Sequence, residues 1–473
     1  MNYKTILFYL GIFSLLISIF SILNILYSIY FDFFLGIDSY IFTSAISLFF
    51  GFLFYLIGRN HKKNINIIEQ IILILCGFIF LPLLISIPYF LSIYNINFLN
   101  SYFEAISGFT TTGFSVINNI NNIDEPLLLW RSTSQWLGGL FFLIAVIGTL
   151  GSRQIKIKPA YLASSEITGN NFYNNFNFNI IRILIIYFFS TIFIIFLYTA
   201  VNIRLFDAFN LSFTVISSGG FISSENLSSI FINNKQIFLL SITFLFPILN
   251  FYLFYNIFSK KFLLRNHQED LHLGILIIFL TAFLYFFITP NESFAKAFLS
   301  IVSSVSTSGI FLEHSNVNLS LLLVLLTIIG GSVISTSSGL KYSRLYVLLK
   351  VSYQEIYRLA KPINITDKNL YNSDTKINDE DTKIAFLVFI LFIASIFILS
   401  SILTLDFLSF EQSFKLSILT LTNTTASSLY GLDNLIFLDL NRLTKVFLIS
   451  FMIFGKIELI AVIFLIKRFI FKE

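Results

Sequence analysis

Long apolar stretches separated by short polar ones set the pattern of this 473-residue chain. A helix that crosses a bilayer needs about 20 mostly apolar residues. Ten stretches qualify, at 6–30, 39–57, 70–94, 130–150, 179–201, 236–258, 271–289, 318–340, 384–404 and 444–466. Four shorter segments, 98–118, 204–224, 291–313 and 408–431, lie between paired spans. Each opens with roughly a dozen residues of helical, amphipathic periodicity and then loses it in a run of Ser, Thr and Gly. That pattern predicts a re-entrant helix followed by an extended loop. Irregular backbone at membrane depth is tolerated only where protein buries it or where it lines a water-filled cavity.

Composition agrees with the pattern: 56% of residues are hydrophobic and only 12% charged, which excludes a water-soluble fold. The net charge of +5 points to membrane topology rather than to nucleic acid. With a cytoplasmic N-terminus and ten crossings, the inner segments hold 22 of the 30 Lys and Arg, so the positive-inside rule puts both termini in the cytoplasm of an inner-membrane protein in contact with lipid. The first apolar stretch is too long for a signal-peptide core and is read as a mature helix. Cys76 sits alone in an apolar run, which leaves neither a disulfide nor a Cys metal site. His61, His267, His272 and His314 fall at loops or helix ends, and no HExxH or paired-carboxylate motif occurs. The expectation is therefore a protein with no enzymatic activity and no cofactor.

Side by side, the four short segments read FEAISGFTTTGFSV (103–116), FNLSFTVISSGGFI (209–222), KAFLSIVSSVSTSGIF (296–311) and FKLSILTLTNTTASSL (414–429). One helix, re-entrant segment, helix unit thus occurs four times, as expected for units arranged about a pseudo-fourfold axis. A potassium filter is a ring of backbone carbonyls from four symmetric loops. Some loop residues must then take backbone angles closed to ordinary side chains, a need that Gly113, Gly220 and Gly309 would meet. Thr111, Thr112, Ser218, Gly219, Thr307 and Ser308 before them, with Thr424, Thr425 and Ala426 in the fourth loop, complete the candidate ion-binding set for K+. The negative C-terminal ends of the re-entrant helices would favour a cation between them.

These residues resemble a known family. GFTTTGFS (108–115) with WRSTSQWLGG (130–139), GGSVISTSSGLKYSRL (330–345) and FGKIEL (454–459) are similar to signatures of the TrkH-type pore subunit of the Trk/Ktr/HKT potassium transporters. The resemblance runs over about residues 70 to 470, and the two preceding helices match the extra N-terminal pair of the TrkH type. It implies an all-α polytopic membrane protein with four helix/pore-helix/helix repeats around a pseudo-fourfold pore plus two N-terminal transmembrane helices. It also implies potassium uptake, a homodimer with one pore per subunit, and a cytoplasmic ring of TrkA-like RCK subunits that bind nucleotide and gate the pore.

The second helix of the third repeat is expected to be interrupted at Gly330, Gly331 and the Ser/Thr/Gly stretch 332–339, a composition that breaks helical continuity, and by the same resemblance an intramembrane loop lies here. A gate loop with Ser332, Ser335 and Gly339 would then obstruct the path beneath the filter; the other reading is a helix that simply ends at Gly339. Lys456, a charge inside the last apolar span, would project below the filter, the alternative being that it snorkels to the cytoplasm. Glu458, two residues on, is not on its helical face. The family's usual glycine in the fourth loop aligns with Ala426, where positive φ would cost about 1 kcal/mol or more. That departure leaves a sodium-permeable or weakly selective transporter as one alternative. An inverted-repeat secondary transporter with broken helices is another. The outer acids Asp124, Glu125, Glu225, Glu313 and Asp433 could concentrate cations at the mouth or simply be solvated. The expected organisation is an N-terminal helix pair (1–65), pore repeats at 66–160, 175–262, 268–362 and 382–473, and a cytoplasmic linker at 363–381.

Overall fold

The computed structural model describes residues 3–61, 67–94, 96–150, 176–224, 227–258, 267–290, 292–312, 319–360, 377, 379–432 and 435–457. Glu225, Glu313, His314, Asp433, Glu458, nearly all of the linker 363–381 and the end of the last predicted span lie outside the described residues.

The chain opens with helices α1 (Tyr3–Tyr30) and α2 (Ile37–Gly58), packed against each other. Gly11, Gly51 and Gly58 lie at their contact, where an added Cβ would meet the facing helix. Such small residues let membrane helices approach closely. Hydroxyls bond within the pair: Ser14 donates to the Leu10 carbonyl at 2.9 Å, Thr43 to that of Ser39 at 2.7 Å, and Ser21 across to that of Tyr40 at 2.7 Å. Those hydroxyls are thereby satisfied without water.

The first repeat comprises α3 (Ile67–Phe90), α4 (Phe98–Phe109) and α5 (Glu125–Leu150). The second comprises α6 (Phe176–Ala200), α7 (Leu205–Ile216) and the segments α8 (Asn234–Thr243), α9 (Leu245–Ile248) and α10 (Phe251–Phe258). The third comprises α11 (Gln268–Phe283, continued by a π turn to Ile288), α12 (Phe294–Val305), α13 (Ser320–Ile329) and α14 (Tyr342–Ala360). The fourth comprises α15 (Asp379–Thr404), α16 (Phe410–Leu421) and α17 (Arg442–Ile457). The re-entrant helices α4, α7, α12 and α16 are each 12 residues long, about 18 Å and too short to cross.

Each repeat's closing helix packs on the next repeat's short helix: α5 on α7, α8 on α12, α13 on α16, and α17 back on α4. The order is therefore a closed ring, 1-2-3-4-1, with loops 1 and 3, and loops 2 and 4, on the two diagonals. Four units in a ring are not the two opposed halves of an inverted-repeat transporter, so that alternative is set aside.

Among the described residues, two of the expected spans are not continuous helices. The stretch 236–258 is expected as one crossing, but it bends by 99° between α8–α9 and α10. Pro247, lacking an N–H, sits at the break. The stretch 318–340 stops as a helix at Ile329, and the chain runs irregularly from Gly330 to Lys341 before α14 begins. The two breaks satisfy each other. Phe251 N donates to Ile334 O at 2.9 Å, Ser332 N to Ile248 O at 2.9 Å, and Ser337 N to Pro247 O at 3.2 Å, while the Asp270 carboxylate takes Asn250 N at 2.9 Å. Among the described residues, six unbroken helices are long and apolar enough to cross a membrane, and the bent pair makes a seventh. The protein is an all-helical, multi-pass membrane protein.

Candidate functional site: four converging loops and the segment against them

Each short helix is followed by a loop of the same backbone construction. Thr112 N reaches back to Ser107 O at 2.9 Å, Gly219 N to Thr214 O at 2.8 Å, Ser308 N to Ser303 O at 3.1 Å and Thr424 N to Leu419 O at 2.8 Å. One residue earlier in each loop the chain turns left-handed, at Thr111 (φ 58°), Ser218 (56°), Thr307 (60°) and Asn423 (49°). Non-glycine residues, and β-branched ones above all, rarely take this conformation, and each such residue costs on the order of 1–3 kcal/mol. Four in equivalent places mark one strained structure built four times.

This construction corrects the sequence alignment of the fourth loop. In register, Thr111, Ser218 and Thr307 correspond to Asn423; Thr112, Gly219 and Ser308 to Thr424; Gly113, Gly220 and Gly309 to Thr425. Ala426 corresponds to Phe114, Phe221 and Ile310, one place beyond the glycines, and is not at positive φ. The expected alanine strain is therefore absent. Gly113 (φ 80°) and Gly309 (φ 68°) take the left-handed angles that favour glycine, whereas Gly220 does not. Gly220 answers to space instead, because a Cβ there would fall on the Thr425 side chain.

The irregular segment 330–341 lies against the turn residues of two loops, at the C-terminal ends of the short helices. Ser218 Oγ donates to Thr336 O at 2.9 Å, Thr336 Oγ1 to Ile216 O at 2.9 Å, and Ser338 N to Thr307 Oγ1 at 3.0 Å. Lys456 completes the contact. Its Nζ lies 2.6 Å from Thr111 Oγ1, 2.8 Å from Ser338 Oγ and 3.4 Å from Thr336 O, and it is buried. Three of the four turn residues are thus touched by the segment or by this lysine. Asn423 is held otherwise, donating to Thr112 Oγ1 at 3.0 Å and Met452 O at 2.9 Å. Lys456 does not snorkel away.

The segment has its own internal frame. Gly330 takes φ 63°, ψ −175°, a conformation essentially restricted to glycine, and Gly339 takes φ 82°. Ser337 Oγ accepts Gly331 N at 2.8 Å, and Ser335 Oγ donates to Ser332 O at 2.6 Å. Lys341, not singled out from the sequence, turns inward: its Nζ donates to Ser337 O at 2.6 Å and Ser335 O at 3.2 Å. Phe142 lies against both ammonium groups, its ring centre 4.5 Å from Lys456 Nζ and 5.4 Å from Lys341 Nζ.

Behind the first loop stands a buried ion pair that sequence reading also missed. Glu104 Oε1 accepts Arg131 Nε at 3.0 Å, and Glu104 Oε2 accepts Val116 N at 2.9 Å. Arg131 Nη2 donates to Ser115 Oγ at 2.9 Å, and its guanidinium lies 4.1 Å from the centre of the Phe221 ring. The pair ties the limb after Gly113 to the limb after Gly220. The signal was present in Arg131, a charge within a predicted span, where an ionised side chain needs a partner. In loops 2 and 3 a hydroxyl serves the same limb: Thr214 Oγ1 donates to Phe221 O at 2.9 Å and Ser303 Oγ to Ile310 O at 2.6 Å. Two of the outer acids are engaged in packing: Tyr94 Oη donates to Asp124 at 3.1 Å, and Glu125 pairs with Arg204 at 2.5 Å.

A family model of TrkH cation transport proteins matches residues 43–286. The chain is 25% identical over 99% of its length to an uncharacterized cation transporter of Methanocaldococcus jannaschii, 96% of which is covered. It is 24% identical over 91% of its length to the Trk system potassium uptake protein TrkH of Salmonella typhimurium, 92% of which is covered. The crystal structure of the potassium transporter TrkH from Vibrio parahaemolyticus superposes with a TM-score of 0.84 over 98% of each chain at 21% identity.

Proposed function

Because the chain belongs to the TrkH family of cation transport proteins, which are ion transporters and not enzymes, we propose that it takes up potassium through the ring formed by its four loops. The observation that carries this reading is the repeated backbone construction at Thr111, Ser218, Thr307 and Asn423 on four helices that close into a ring. The backbone carbonyls of these loops and of the residues up to Gly113, Gly220, Gly309 and Thr425 supply the ligands. The C-terminal dipole ends of α4, α7, α12 and α16 add negative potential.

In this reading the segment 330–341 is the gate. It lies against Ser218 and Thr307 while Lys456 reaches Thr111, and it must withdraw for ions to pass. A lysine ammonium there adds an electrostatic barrier to a cation. Curated relatives are named as potassium uptake proteins of a Trk system, which supports potassium as the cargo and supports a multi-component assembly. The assembly we propose is a homodimer in the inner membrane, both termini cytoplasmic, with TrkA-like RCK subunits acting on the gate from the cytoplasm.

The test is growth of a potassium-uptake-deficient bacterium at low external potassium. The native chain, expressed with its cognate cytoplasmic partner, is expected to restore growth, and Gly113→Asp at equal membrane abundance to abolish it. Equal rescue by Gly113→Asp would remove the four loops from the conduction path.

A further inference from the structure

Three loops present glycine at the corresponding place and the fourth presents Thr425, whose side chain is not turned away from the ring. A Cβ built on Gly220, across the diagonal, would fall on the Thr425 hydroxyl, and one built on Gly113 would overlap the same oxygen. Thr425 Oγ1 donates to Thr112 O at 3.0 Å. The Thr425 carbonyl oxygen would in turn stand 2.7 Å from a Cβ on Gly309. One residue of loop 4 therefore touches all three other loops at the level of their glycines. Two places further on, Ser427 Oγ donates to Gly309 O at 2.5 Å, so loop 4 places a hydroxyl on a backbone carbonyl of each of its ring neighbours. Thr425 is half-buried where Thr424 and Asn423 are fully buried, which puts it at the outer end of the row.

We propose that Thr425 is a conductance- and selectivity-determining residue of this chain: its side chain constricts the outer end of the ring, and its hydroxyl must leave Thr112 O before that carbonyl can face an ion. The inference rests on the reading of the four loops as a filter and adds an asymmetry to it. A carbonyl that accepts an O–H donor offers less of its lone pairs to a cation. A β-branched side chain has few rotamers with which to step aside. Once rotated, the hydroxyl oxygen is itself a neutral ligand of a kind that the three glycines cannot supply.

The experiment compares potassium and sodium influx into proteoliposomes of the full chain for native protein, Thr425→Gly, Thr425→Val and Gly113→Asp, each shown to be monodisperse. Thr425→Gly, which removes both the bulk and the hydrogen bond, is expected to raise potassium influx more than about fivefold, the factor associated with one neutral hydrogen bond, and to change the potassium-to-sodium ratio. Thr425→Val, which keeps the bulk and frees only Thr112 O, is expected to show a smaller gain than Thr425→Gly. If Gly113→Asp abolishes influx while Thr425→Gly leaves both rate and ratio at native values, the filter reading stands and this inference falls. A gain in Thr425→Val equal to that in Thr425→Gly overturns the constriction. If Gly113→Asp conducts as well as the native chain, the filter reading fails and the inference fails with it.

Discussion

Removing Arg131 while leaving Glu104 in place tests how the first loop is held. Glu104 is fully buried and Arg131 has 2% of its side chain exposed. The carboxylate accepts from the Arg131 guanidinium, Ser115 Oγ and Val116 N. Arg131→Met keeps much of the side-chain volume but leaves the carboxylate uncompensated. Breaking a buried pair in this way costs on the order of 3–5 kcal/mol. Replacing both partners, in Glu104→Leu with Arg131→Met, removes the buried charge as well as its counter-charge, and is expected to lose less than Arg131→Met alone. The readout is built in. The chain's two tryptophans both lie on α5, Trp130 next to Arg131 and Trp136 further along it, and the buried indole of Trp130 donates to Ile85 O at 3.0 Å. Thermal unfolding of detergent-solubilised protein followed by their fluorescence is expected to show a clearly lowered midpoint for Arg131→Met and a partial return for the double variant. An Arg131→Met midpoint indistinguishable from native, or a double variant that loses the sum of both single losses, would refute the argument.

Lys456→Met is expected to raise potassium flux at least tenfold in liposomes, because a unit charge about 6 Å from a passing cation opposes it by roughly 3 kcal/mol at an effective dielectric constant of 20. Lys456→Arg, which keeps the charge, is expected to stay near native flux, and equal flux in all three proteins would remove Lys456 from the barrier. Gly330→Ala places a side chain in a glycine-only conformation and against Ser338 O. It is expected to cost about 1–3 kcal/mol and to raise cation leak; unchanged unfolding and leak would show that the 330–341 segment does not depend on this turn.

Helical crossings were legible because a run of some 20 apolar residues has few other uses, and the four short helices because their periodicity stops at Ser, Thr and Gly. The break at Gly330 was legible for a local reason, two adjacent glycines. The bend in the second repeat was not. The run LFPILNFYLFYNIF (245–258) is apolar almost throughout, and the atoms that satisfy its freed backbone, Ile334 O and Asp270 Oδ1, come from another repeat. Register in the fourth loop failed for a related reason. Matching small residue to small residue aligns Ala426 with the glycines, but the ladder is set by where α16 ends, at Leu421. Asn423 was the available signal, since asparagine is among the non-glycine residues most tolerant of left-handed backbone. Thr111 and Thr307 offered none, because threonine is a residue that local preference steers away from positive φ. Their conformation is imposed by the ring around them. Correcting the register by one residue also moves the chemical question. An alanine in the ring would have been a matter of backbone strain, whereas Thr425 brings a hydroxyl and a branched side chain to a level where the other three loops have only backbone.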